Sequence, residues 1–252
     1  LTENGLLYVA DPGNHRVVVV DGNRTTHIGN GKGSDLNQFR GPTDVYIFNG
    51  SLYVADQGNR RVLKMSRTGD LPTVVANLSA LEIHPFYLHV DTHGNIYVSD
   101  FYKHIVQLIT ATNSSRVAGT GANGSHGDQL YRPYGVFVSR SGVLYVADCH
   151  NHRLMKWEPG AQSGSHVAGT GISGSSLAQL SFPTDIVLDI DEHLYISESG
   201  NARVTRWAPG STSGVCIVAC TGQRGIASNQ LNYPHSLAFD RHGSLFVSDH
   251  GN

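Results

Sequence analysis

Charge is scarce in this chain. Charged residues make up 15% of the 252 positions, and the formal net charge is −2. No basic stretch occurs, which argues against the broad phosphate-reading surface of a nucleic-acid binder. No apolar run approaches the length of a membrane span, so insertion of a helix into a bilayer is not expected. No secretory leader is visible, and Leu1 opens the chain, as in a mature product or a fragment.

Cysteine is also scarce, with three residues, Cys149, Cys216 and Cys220. An odd number leaves at least one thiol free or bonded to another chain. In a regular strand Cys216 and Cys220 would lie about 13 Å apart on one face, beyond the reach of a disulfide. A bond between them therefore requires the strand to break there; otherwise Cys149 is the partner of one of them.

What the chain has in quantity is glycine, 29 residues, spread between apolar phrases that total 39% of the sequence. This is a turn-dense all-β composition, long enough to bury a core without crosslinks. One phrase occurs six times. Leu7-Tyr8-Val9-Ala10-Asp11 is followed by Leu52 to Asp56, Ile96 to Asp100, Leu144 to Asp148, Leu194 to Glu198 and Leu245 to Asp249. Its aromatic falls at positions 8, 53, 97, 145, 195 and 246. Self-similarity at this period signals a propeller or another stacked array.

The repeat reads as four strands. A first strand begins at Pro42, Pro85, Pro133, Pro183 or Pro234, and the shared phrase is the second. A third strand follows a short turn, and a fourth precedes a Gly-rich crossing to the next proline. Twenty-one strands are expected, where six four-stranded blades need 24. We therefore expect one domain over residues 1–252, a six-bladed β-propeller of four-stranded antiparallel blades with the last blade incomplete. Five-bladed closure, with the Pro234 strand joining the N-terminal three, is the alternative. An unfinished blade is an edge that invites strand addition, from another protein or from a second copy.

The turn between second and third strands carries the most specific motif. It reads Asp11-x-x-Asn14-His15-Arg16, Asp56-x-x-Asn59-Arg60-Arg61, Asp148-x-x-Asn151-His152-Arg153 and Glu198-x-x-Asn201-Ala202-Arg203. With Val-Ala-Gly-Thr-Gly and Gln-Leu-x-x-Pro, this resembles the NHL repeat family of β-propellers across essentially the whole chain. Asn favours the tight reversal, and the acid and Arg are placed to pair across it as an exposed structural ion pair. The third copy, Asp100-Phe101-Tyr102-Lys103-His104, lacks Asn and Arg. Drift is the simplest reading of that departure, and a specialised surface the other. The Gly-rich crossings precede strands, not helices, so they read as turns rather than phosphate cradles.

Histidine is plentiful, at 14 residues. His15, His104 and His152 share one repeat slot, which points to a scaffold role and away from the metal cluster that Cys149-His150-Asn151-His152 evokes. Pro234-His235-Ser236 looks like a motif of peptidyl-hydroxyglycine amidating lyases, relatives of this family. That resemblance implies histidines at the inner slot of several blades holding zinc in the channel. Here only His235 matches; the other slots hold Thr43, Phe86, Tyr134 and Thr184. One His does not make a zinc site. Asp44 and Asp185, one residue further on, are candidates for a channel cation, with hydrogen-bonded structural carboxylates as the plainer reading. No cofactor is otherwise expected.

Five N-x-Ser/Thr sequons, at Asn23, Asn49, Asn77, Asn113 and Asn123, fall at turns or strand ends. All lie within residues 23–125, so N-linked glycans would cover one half of the ring and leave the other bare for partners. The combined expectation is an extracellular, glycosylated, non-enzymatic module for protein interaction or structural assembly. The alternative is a metal-dependent lyase or hydrolase working in the channel.

Overall fold

The computed structural model describes residues 5–66 and 71–252. Its strands form six antiparallel sheets in chain order. The first holds β1 (Leu7–Asp11), β2 (Arg16–Asp21) and β3 (Arg24–Ile28). The second holds β4 (Pro42–Phe48), β5 (Ser51–Asp56), β6 (Arg61–Ser66) and β7 (Thr73–Asn77). The third holds β8 (Leu88–Val90), β9 (Ile96–Asp100), β10 (Ile105–Ile109) and β11 (Ser114–Ala118). The fourth holds β12 (Pro133–Val138), β13 (Leu144–Asp148), β14 (Arg153–Trp157) and β15 (Ser165–Gly169). The fifth holds β16 (Pro183–Leu188), β17 (Leu194–Glu198), β18 (Arg203–Trp207) and β19 (Val215–Val218). The last holds β20 (Pro234–Phe239) and β21 (Leu245–Asp249).

This corrects the blade count. Four sheets are complete, and the remaining strands divide three and two between the first and last sheets. The inventory suffices for five four-stranded blades and falls short of six. β20 pairs with β21, and β1 with β2, so these five strands lie in two separate sheets.

The repeated phrase is apolar at successive positions because each blade is covered on both sides. In β5, Leu52 and Val54 point into the core shared with the first sheet, while Tyr53 and Ala55 point into the core shared with the third. The period-2 alternation of a strand thus feeds two interfaces instead of one buried and one wet face. Five such cores link the six sheets in sequence. No core cluster among the described residues joins the last sheet to the first.

First strands pack on one another around the axis, β4 on β8, β8 on β12, β12 on β16 and β16 on β20. Register breaks follow Pro42, Pro133, Pro183 and Pro234. Such bulges re-aim side chains, here at the positions nearest the axis. Antiparallel order then puts all the second-to-third-strand turns, the Gly-rich crossings and the prolines on one face, called the upper face below.

Candidate functional site

The conserved-looking turn of this chain is a clasp. Asp56, Asp148 and Glu198 are fully buried, and Arg61, Arg153 and Arg203 meet them at 2.8, 2.7 and 2.8 Å. Each Arg also donates to three carbonyls of the preceding crossing. For Arg153 these are Ser125, His126 and Gln129. The turn Asn reaches the same loop: Asn59 donates to Gly33 O, Asn151 to Gly124 O and Asn201 to Gly174 O. The expected exposed pair is therefore corrected to a buried one in these blades. Only Asp11–Arg16 is open, with side chains 24% and 40% exposed. Burial pushes Asp148 and Glu198 above their usual carboxylate range.

The histidine slot is a latch. His15, His104 and His152 sit in the left-handed region, and their Nδ1 atoms accept the backbone N–H of Gly41, Arg132 and Phe182. The scaffold role expected of these residues is what the geometry shows. The latched positions precede Pro42, Pro133 and Pro183, and all are left-handed too, with φ of 63° at Gly41, 53° at Arg132 and 46° at Phe182. Tyr233, before Pro234, has φ of 60°. Glycine adopts this conformation without penalty, whereas a bulky L-residue stores roughly 1–2 kcal/mol of strain. Three blades thus carry Arg, Phe and Tyr where glycine would be the relaxed choice.

These residues belong to a circuit of rings on the upper face. Phe101 contacts Phe86, Tyr134 and His150; Tyr134 contacts His235, which lies 5.2 Å from His250. His150 contacts Phe182 at 5.3 Å. Ser199 N–H and its hydroxyl donate to Phe182 O, and Arg224 donates to Ser199 O. Arg224 lies 3.8 Å over the Tyr233 ring, and His250 N–H donates to Tyr233 O, which closes the circuit. Tyr102, Tyr233 and Phe182 are 61%, 49% and 37% exposed. Burial holds His150, His152 and His235 below the usual imidazole range.

Sequence reasoning missed this face as a whole. The departure at Phe101-Tyr102 was its visible sign, and the structure places both in the circuit in place of the missing clasp. There Asp100 accepts the backbone N–H groups of Tyr102 and Lys103 instead. A bulky residue immediately before a repeat proline, where Gly41 stands in the second blade, was the other available signal.

The axis is built for cohesion. Asp44 Oδ2 accepts Leu88 N–H and Asp185 Oδ2 accepts Leu237 N–H, each at 2.8 Å from the next blade. Their other oxygens accept Val45 and Ile186 N–H. Thr43 and Thr184 hydroxyls donate to Pro85 O and Pro234 O of the same neighbours. The two cation candidates are thus occupied as inter-blade staples. Gly135, at the equivalent position of the fourth blade, leaves room for Asp185, whose Oδ1 would lie 2.5 Å from an added Cβ. Desolvation pushes Asp44 up to about 7 and Asp185 well above its usual range, with the Asp44 charge adding to the latter. His235 faces Tyr134 and His250 in the ring circuit. Among the described residues the one group of three potential metal ligands is elsewhere, Asp189, Asp191 and His193 on the β16–β17 hairpin. Asp189 there caps its own turn, as Asp91 and Asp240 do in theirs.

Asn23, Asn49, Asn77, Asn113 and Asn123 are all exposed. Cys216 and Cys220 form a disulfide with Cα atoms 5.7 Å apart. The strand breaks as that bond requires: β19 ends at Val218 and Ala219 turns left-handed with φ of 53°. Cys149 is the free, buried thiol, and burial pushes it up.

Comparison with known proteins accords with this architecture. The NHL repeat family matches residues 130–157, one full second strand, turn and third strand with the residues that lead into them. No curated protein matches the chain in sequence. Among solved structures, a nidogen/laminin complex is similar over 97% of this chain and 84% of that one, at 16% identity and TM-score 0.67. A catalytically inactive virginiamycin B lyase from Staphylococcus aureus with quinupristin is similar over 100% and 76%, at 11% identity and TM-score 0.67. An auxiliary nutrient binding protein from Bacteroides thetaiotaomicron is similar over 98% and 64%, at 13% identity and TM-score 0.70. Enzymes and binding proteins share this fold, and at such identities the likeness concerns the fold alone. With its buried Asp/Glu-x-x-Asn-x-Arg clasps repeated from blade to blade, the chain is a β-propeller, and its residues 130–157 match the NHL repeat family.

Proposed function

We propose that this chain is a non-enzymatic protein-interaction module that works outside the cell through its upper face. One observation carries the reading: Arg132, Phe182 and Tyr233 occupy strained left-handed positions on one face. Strain of this kind clusters where a side chain is kept for what it touches. Tyr, Phe and Arg are also the residues that anchor protein interfaces. The nidogen/laminin neighbour is a propeller in a protein complex, which supports the class of function without naming a partner. The Cys216–Cys220 disulfide and five exposed sequons support an oxidising, glycosylating compartment. The two-stranded last sheet, β20 and β21, supports strand addition or self-assembly as a second mode of association.

The test is to secrete the protein from cells that add N-linked sugar and measure intact mass before and after enzymatic deglycosylation. Loss of sugar mass mapped to Asn23, Asn49, Asn77, Asn113 or Asn123 is expected. Hydrogen exchange of any complex that co-purifies is expected to show protection at 101–104, 131–134, 180–184 and 231–235. A sugar-free secreted chain contradicts the glycosylation reading. Protection confined to the hairpins at the opposite ends of the strands contradicts the choice of face.

A further inference from the structure

We infer that the partner of the upper face is an acidic protein segment, whose carboxylates are received by Arg60, Arg132 and Arg224. The inference rests on the reading of that face as an interaction surface and adds the chemistry of what it binds.

The starting point is how this chain disposes of its cations. Arg61, Arg153 and Arg203 are sealed against buried acids, Arg16 meets Asp11, Lys103 meets Glu82, and Lys156 meets Glu158. Arg60, Arg132 and Arg224 of the upper face, like Lys32 and Arg40 there, have no carboxylate partner among the described residues, and Arg132 and Arg224 are set apart by lying over aromatic rings. Arg132 lays its guanidinium 4.8 Å over the Phe101 ring and 5.9 Å from that of Tyr131, and its side chain makes no hydrogen bond. Arg224 lies over Tyr233 and uses one terminal nitrogen on the carbonyls of Ser199 and Gly200. Arg60 donates from Nε to His84 Nε2 at 3.1 Å, and its terminal nitrogens make no hydrogen bond.

A guanidinium held against a ring keeps N–H donors in its own plane, and those not used within the chain are the groups that receive a carboxylate. Stacking also holds the fork in place, so less side-chain entropy is lost on binding. The three sites are connected. His84 joins Arg60 to Tyr102 and thence to Phe101, and the ring circuit joins Phe101 to Arg132 and to Arg224. Four acids of the same turns, Asp56, Asp100, Asp148 and Glu198, are fully buried, whereas Asp11 and Asp249 are partly exposed and Glu82, on a crossing, is exposed beside Lys103. Asp35 and Asp128, on the outer crossings, pair with none of the three arginines. Positive charge is therefore local, at Arg132 and Arg224 over the rings of Phe101 and Tyr233 and at Arg60 beside His84, with the acids of Asp35 and Asp128 on the outer crossings.

Acidic peptide fits this pattern better than nucleic acid. Three separated guanidiniums receive discrete carboxylates, whereas a polyphosphate chain is tracked by a denser run of cations than a chain of net charge −2 carries here.

The test uses the full chain and a fluorescent random copolymer of glutamate and tyrosine, read by anisotropy. A lysine–tyrosine copolymer, a single-stranded oligonucleotide and heparin serve as the other arms. Saturable binding of the acidic copolymer that weakens with salt is expected. Arg132→Gln with Arg224→Gln should weaken it about tenfold or more, and Arg→Lys at both should fall between. Arg140→Gln with Arg241→Gln, on the opposite hairpins, should leave it unchanged. Urea unfolding checks that each variant is folded. Absent binding, tighter binding of oligonucleotide or heparin, or indifference to the Arg132 and Arg224 changes overturns the inference. If a co-purifying protein still protects residues 180–184 and 231–235 while the copolymer fails, the acidic-partner inference falls and the interaction reading stands.

Discussion

The first sheet and the fourth blade carry the same phrase at the same turn, Asp-x-x-Asn-His-Arg, and put it to different use. In the fourth blade the acid is fully buried and Arg153 grips three carbonyls of the crossing below it. In the first sheet Asp11 and Arg16 pair at 2.8 Å, Arg16 meets no crossing carbonyl among the described residues, and both remain partly exposed. The energy of the motif therefore lies in the loop it encloses, not in the ion pair. The phrase alone does not tell a clasp from an ornament.

The largest effect expected from that difference is at Arg153. Arg153→Ala leaves the buried Asp148 carboxylate without its countercharge and removes a donor from three carbonyls, and should cost about 3–5 kcal/mol in denaturant unfolding. Arg16→Ala should cost about 0–1 kcal/mol. Equal losses would break the comparison.

The axis gives the next largest effect. Asp44 staples β4 to β8, a link with no counterpart in β1 among the described residues. Its folded value of about 7 lies above the ordinary 3.8, so the charged form is disfavoured in the ring. Stability contributed by proton uptake is fully present near pH 4 and is lost as pH rises through about 7. Asp44 should accordingly add about 1 kcal/mol to the unfolding free energy from pH 8 to pH 6, against the opposite contribution of the histidines held below their usual range, so the quantity read is the difference in slope between the parent and Asp44→Asn. Asp44→Asn should flatten that slope, and a slope unchanged by the substitution would exclude Asp44 as its source.

The latch sharpens the comparison at smaller scale. His152 holds Phe182 in a strained conformation, while His15 holds Gly41, which needs little holding. His152→Ala should cost about 1 kcal/mol and His15→Ala a few tenths, both read from shifts in urea midpoint.

Much of the fold was legible in the sequence. Strand period, turn residues and the proline starts place all twenty-one strands, because each rests on contacts within one repeat. The count of complete blades was less so, since it depends on how strands at opposite ends of the chain pair. Burial of the clasp was hidden because its carbonyl partners lie 24 to 28 residues upstream of Arg153. The disulfide turned on one backbone conformation, that of Ala219. The ring circuit of the upper face is assembled from residues of four different sheets and the loops between them, and no single repeat announces it. The loss of Asn and Arg at Phe101-Tyr102-Lys103-His104, and bulky residues before Pro133, Pro183 and Pro234, marked its position.

The central claim is that the left-handed Phe182 and Tyr233 are kept for contact and not for stability. Phe182→Asn with Tyr233→Asn tests it most directly, because Asn accepts this backbone and removes the ring. The account predicts unfolding free energy within about 1 kcal/mol of the parent, together with loss of binding at the upper face. A variant that unfolds far more easily, or that binds its partner as the parent does, would contradict it.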